Sequence, residues 1–244
     1  MLGQLLFLFG LLILVLIPLT GYAFYQSMKK PEKTPSTYLR AHPQKDVRKS
    51  VVVFLGDSIT HGRVGVNYVD MVQERFESES FEFINAGINS ELAWNNLQRV
   101  EEVIQCDPDV VTVLIGTDDV NATMSSDAMK SYVMRMKLPR DPDSSWYEDC
   151  LQSLVKRLRT ETNARIALLS IPPIGEDFSH PAFIRSSEYS SIIQHIAEEM
   201  NVAYLPFIVC CTILDTRALY SQETALGGLC EVRCVSGRPQ SSVA

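Results

Sequence analysis

Val51-Val52-Val53-Phe54-Leu55 is a continuous apolar run closed by Gly56. A run that is short and apolar at every position, without alternation, reads as a strand buried on both faces, and parallel sheets are built from such strands. Similar short runs recur at 81–85, 110–115, 165–171 and 202–206. Between them, residues 68–76, 92–104, 127–136, 146–159 and 187–200 read as helices; in the second of these, Leu92, Leu97, Val100, Val103 and Ile104 share one helical face. Strands alternating with helices mean βαβ units. The expected fold is therefore an α/β three-layer αβα sandwich on a mainly parallel, flavodoxin-like sheet. In such sheets ligands bind outside the carboxyl ends of the strands.

The flanks of this pattern differ from it. Residues 1–28 contain no charged side chain, and 5–19 are almost entirely Leu, Ile, Val and Phe. A membrane-spanning helix needs roughly 20 apolar residues, so 1–28 is expected to be a single-pass transmembrane anchor. The alternative is a cleaved secretory signal, with Gly21 and Ala23 as the small residues near a cut, although a charged n-region is missing. Lys29, Lys30 and Lys33 close the segment, which by the positive-inside tendency keeps that flank cytoplasmic. Asn121-Ala122-Thr123, a formal glycosylation sequon, points instead to export, so the side of the membrane stays open.

Residues 29–49, with Pro31, Pro35 and Pro43, read as a polar linker, and 50–209 as the folded domain. Residues 210–244 form an atypical tail holding Cys210, Cys211, Cys230 and Cys234, whose spacings match no zinc signature. The net charge of −7 argues against a nucleic-acid partner.

Three polar, glycine-bearing loops fall at strand ends: Gly56-Asp57-Ser58, the stretch after Asn85-Ala86-Gly87, and Gly116-Thr117-Asp118-Asp119. Gly, Asp and Ser are ordinary turn and cap residues. A serine in a tight strand-to-helix turn is also exposed, with helix N-terminal donors beside it that favour negative charge.

The order of the three loops resembles the SGNH, or GDSL, hydrolase family of serine esterases and lipases. Gly56-Asp57-Ser58-Ile59-Thr60 is similar to its first block, INAGINS (residues 84–90) to its second, and IGTDDV (115–120) to its third. The resemblance implies that Ser58 is the nucleophile, that Gly87 supplies an oxyanion-hole N–H, and that Gly56, Asp57 and Asp119 support them. It implies a carboxylic ester substrate, of lipid or acyl type, and no metal or organic cofactor.

Two departures stand out. Asp118 occupies the place of the family's Asn, whose side chain donates to the oxyanion; an ionised carboxylate cannot donate, whereas a protonated one can, and neighbouring Asp119 would favour that proton by like-charge repulsion. The family's fifth block, Asp-x-x-His, carries the general base and the Asp that orients it, but no histidine follows His195 and Asp215 has Ala218 three positions on. Of the remaining histidines, His61 must reach back along its own turn, His195 lies mid-helix, and His180, in a loop after the fourth strand, is the one candidate base able to approach the site. The sequence thus implies a membrane-anchored serine esterase with impaired catalysis. The alternatives are a non-catalytic binding or regulatory protein that keeps the cleft, or a truncated isoform.

Overall fold

The computed structural model describes residues 29–206 except 64 and 77–79, together with 9, 13–22 and 25. Five strands form one sheet: β1 (Ser50–Gly56), β2 (Phe81–Gly87), β3 (Val110–Leu114), β4 (Arg165–Leu169) and β5 (Ala203–Leu205). All pairs are parallel, in the order β2-β1-β3-β4-β5. This is the flavodoxin-like order expected from the βα alternation.

The continuous apolar run of β1 is explained by its two faces. Val51, Val53 and Leu55 enter the larger core, while Val52 and Phe54 enter a smaller one. The larger core is closed by α4 (Ala93–Gln98), α5 (Val100–Ile104), α8 (Ser144–Glu161) and α9 (Pro181–Glu199). Helix α8 buries Tyr147, Leu151, Leu154, Val155 and Leu158, an i, i+4, i+7, i+8, i+11 stripe, and Asp143 caps it by accepting from Trp146 N at 2.7 Å. The smaller core lies under α3 (Tyr68–Arg75), through Val69 with Tyr68 and Val72. Helices therefore cover both faces, giving three layers.

The sequence periodicity misses three local features. The helix expected over 92–104 breaks at Arg99 (φ −109°, ψ 11°), so α4 and α5 are separate. The helix expected from 187 begins at Pro181, because proline fits the first helical position and His180 caps it. Within the stretch expected as a linker, α1 (Pro35–Ala41) is capped by Thr34 and docked on the domain with Pro35 and Tyr38 buried. Asn85 N donates to Lys33 O at 2.8 Å, so this strap occupies the outer edge of β2.

Of the expected transmembrane segment, the described residues 13–22 are helical, and Leu14, Ile17 and Leu19 among them are exposed. Among the described residues no helix is long and apolar enough to cross a membrane. The rest of that segment and the tail from 207 onward, with its four cysteines, lie outside the described residues. Cys106 and Cys150 are buried free thiols.

Candidate active site

Strand register brings the three loops together. Gly56 pairs with Gly87 on one side and with Leu114 on the other, so the chains leaving β1, β2 and β3 start at one level. Ser58 opens the one-turn helix α2 (Ser58–His61), half-buried, immediately after the end of β1. Asp57 is its cap and accepts from Ile59 N at 2.9 Å. The loop after β3 becomes α6 (Thr117–Ala122), which carries Asp118 and Asp119.

Glycine is required here for space. A Cβ on Gly87 would lie 2.2 Å from His61 N and 2.5 Å from Thr60 C, and one on Gly56 would lie 2.3 Å from Leu114 O. These residues let α2 sit directly on the strand ends. Gly116 is different: its φ of 133° disfavours any side chain, and a Cβ would also meet the Tyr147 hydroxyl at 2.8 Å.

The N–H of Gly87, expected to face an oxyanion, donates to Asn85 Oδ1 at 2.9 Å, and Asn85 Nδ2 in turn donates to Thr60 O at 2.8 Å. Asn85 thereby clamps β2 to α2. Beyond it, Ser90 holds a left-handed backbone (φ 65°) in the turn before α4.

Three carboxyl groups lie buried in the cluster: Asp57, Asp118 and Asp119. Burial pushes Asp57 up to about 8, with Asp118 adding repulsion and the Ile59 and Thr117 backbone N–H groups opposing. Burial likewise raises Asp118, against Tyr132, Arg135 and Asn121. Tyr132 Oη, on α7 (Ser126–Met136), donates to Asp118 Oδ1 at 2.5 Å, while Asp118 Oδ2 has no hydrogen-bond partner. Asp119 is raised by burial first, then by Asp118 and Asp57, and it accepts from Ala93 N at 3.1 Å. So Asp119 fixes the start of α4, and the force that raises Asp118 is desolvation rather than the Asp119 repulsion expected from sequence adjacency. The sequon residue Asn121 lies half-buried in α6, on the Asp118 side.

Each histidine has an assignable place. His42 Nδ1 donates to Tyr38 O at 3.2 Å at the end of α1, and its ring stacks on Tyr38. His61 is buried in α2, with Nδ1 unpaired, and burial followed by Arg63 lowers its pKa. His180 is exposed, and its Nδ1 accepts from Ala182 N at 3.2 Å as the cap of α9. His195 is exposed along α9. Among the described residues no histidine is hydrogen-bonded to the Ser58 hydroxyl.

Sequence reading missed Arg99. Its guanidinium, 15% exposed, donates to Glu91 Oε2 (2.6 Å), Glu102 Oε1 (2.7 Å), Ala86 O (2.6 Å) and Gly56 O (3.4 Å). One side chain thus ties together the carbonyls at the ends of β1 and β2. In sequence it lies within the helix expected over 92–104, next to Glu101 and Glu102. Only the break at Arg99 turns it inward. Arg99→Met should cost about 3–5 kcal/mol in urea denaturation, because it strands the buried Glu91 carboxylate. Adding Glu91→Gln should restore most of that loss; no restoration would mean that the carbonyl contacts dominate.

A family described as GDSL-like lipase/acylhydrolase matches residues 54–228, which includes all three loops and part of the stretch expected as an atypical tail. Among solved structures, the acetyl xylan esterase AlAXEase is 25% identical with a TM-score of 0.59, over 70% of this chain and 84% of that one. An acetylxylan esterase from Geobacillus stearothermophilus is 24% identical with a TM-score of 0.53, over 64% of this chain and 76% of that one. Catalytic variants of that enzyme alter a serine, an aspartate and a histidine, the last two spaced three positions apart. No match is found among curated proteins. With the parallel sheet in flavodoxin-like order, the three loops level at its carboxyl edge and a match over most of its length, the chain belongs to the GDSL-like lipase/acylhydrolase family, whose activity is carboxylic ester hydrolysis.

Proposed function

We propose that the chain is a membrane-associated serine esterase with Ser58 as nucleophile, acting slowly for want of an adjacent base. The observation that carries this reading is the position of Ser58: half-buried at the start of α2, at the carboxyl end of β1, level with the loops that hold Gly87 and Asp118. In the proposed reaction Ser58 Oγ attacks the ester carbonyl carbon as its proton passes to solvent water, and the C=O π pair moves to the carbonyl oxygen as negative charge. The N-terminal end of α2 and a neutral Asp118 stabilise that charge. Collapse re-forms the carbonyl, breaks the ester C–O bond and expels the alcohol oxygen, which takes a proton from water; the acyl-serine left behind is hydrolysed by a second water, which releases the acid and returns the proton to Ser58 Oγ. Gly87 contributes by admitting α2 to the strand ends, since its own N–H is bonded to Asn85.

The acetyl esters named for the solved relatives make short acyl esters the first substrates to try. Membrane association is supported by the uncharged run of residues 1–28. A second reading, a non-catalytic binding protein, is favoured by the absence of a histidine bonded to Ser58 among the described residues. A fluorophosphonate separates the two. The esterase should be labelled slowly at Ser58, lose labelling on Ser58→Ala, and hydrolyse p-nitrophenyl acetate. A folded chain that binds short esters but is never labelled is the binding protein.

A further inference from the structure

We infer that the carboxyl edge of the sheet is held against a lipid bilayer surface, so that Ser58 meets esters presented at that surface. This rests on the membrane association proposed above and adds an orientation to it.

The argument is one of reach. The uncharged stretch ends at Met28, followed by Lys29 and Lys30. Lys30 and Pro31 already form one wall of a cavity of about 170 Å³ whose other walls include His61, Gly87, Ile88 and Asn89. Three residues later, Lys33 O accepts from Asn85 N near the carboxyl end of β2. The strap then descends as α1, with Tyr38 buried, and the chain re-enters the sheet from the opposite edge at Ser50. Two extended residues span only about 7 Å. A membrane segment ending at Met28 therefore cannot stand away from the loops after β1 and β2; it delivers the bilayer to them. The amino edge lies a whole strand length away.

The chemistry of the rim suits this placement. Lys29 and Lys30 provide two positive charges where lipid headgroups would lie, a pattern that attracts anionic lipid, whereas Lys33 Nζ pairs with Glu82 Oε2 at 3.7 Å. Val66, before α3, and Ile88, after β2, are exposed apolar side chains on this edge. Val47 and Phe81 are exposed apolar side chains on the opposite one, so exposure alone decides nothing. The short tether selects the edge.

The test uses the full chain in vesicles of phosphatidylcholine and phosphatidylserine, separated by flotation. A photo-crosslinking p-benzoylphenylalanine replaces Val66 or Ile88 at the proposed face, or Val47 or Phe81 at the far edge. The inference expects lipid adducts several-fold more abundant at 66 and 88 than at 47 and 81. A flexible Gly-Ser spacer inserted between Lys29 and Lys30 should leave flotation intact and remove that difference. If the chain floats but adducts are equal at both edges, or favour 47 and 81, the orientation is wrong while membrane association stands. If the chain does not float, both fall.

Discussion

Gly87→Ala is expected to lower stability by about 3 kcal/mol or more, at the upper end of what overpacking usually costs. Gly65→Ala, where nothing lies within 4 Å, should be near neutral. The difference comes from what the new methyl meets. At position 87 the nearest atoms are His61 N at 2.2 Å and Thr60 C at 2.5 Å, both main-chain, so no rotamer change relieves the clash. The one-turn helix must rise off the strand ends, breaking the Asn85 Nδ2 to Thr60 O bond and moving Ser58 with it. Urea denaturation measures the loss, and fluorophosphonate labelling of Ser58 should fall in parallel. A Gly87→Ala protein as stable as the parent would show that α2 is free to shift.

The second large effect is expected at Asp118. If its neutral acid donates to the developing oxyanion, the labelling rate of Ser58 depends on a proton that burial holds in place. The sign follows from the raised pKa. The donor is present at low pH and is lost as pH rises through that value, when the carboxylate begins to repel the charge it had stabilised. Tyr132, Arg135 and Asn121 pull toward ionisation, and burial outweighs them. Asp118→Asn keeps an oxygen to accept from Tyr132 and provides an N–H that does not titrate. It should label about 10²-fold faster than the parent at alkaline pH, the usual worth of one oxyanion donor, and approach parity at low pH. Equal rates across the whole range would remove Asp118 from the reaction.

The local order of elements was legible from the chain. The run 51–55 is apolar at every position and 110–115 at every position but Thr112 because their strands are covered on both faces, and that pattern depends on composition alone. The strand-end placement of Ser58, Gly87 and Asp118 followed from it. What escaped were features set by contacts distant in sequence. The strap at α1 has a visible start signal in Thr34-Pro35, yet its docking depends on Lys33 meeting Asn85, about fifty positions away. Tyr132 and Asp118 meet because α7 folds back over α6.

By itself, then, the sequence determined the βα alternation, the loop edge on which chemistry would collect, and the family. Periodicity, turn residues and short motifs are local properties of a chain. The tertiary structure alone decided that the Gly87 N–H bonds to Asn85, that Arg99 joins two strand ends, that His180 is a helix cap, and that Asp118 is raised by burial rather than by Asp119. Hydrogen-bond partners and desolvation depend on which distant atoms arrive within about 3 Å, and no spacing along one chain encodes that.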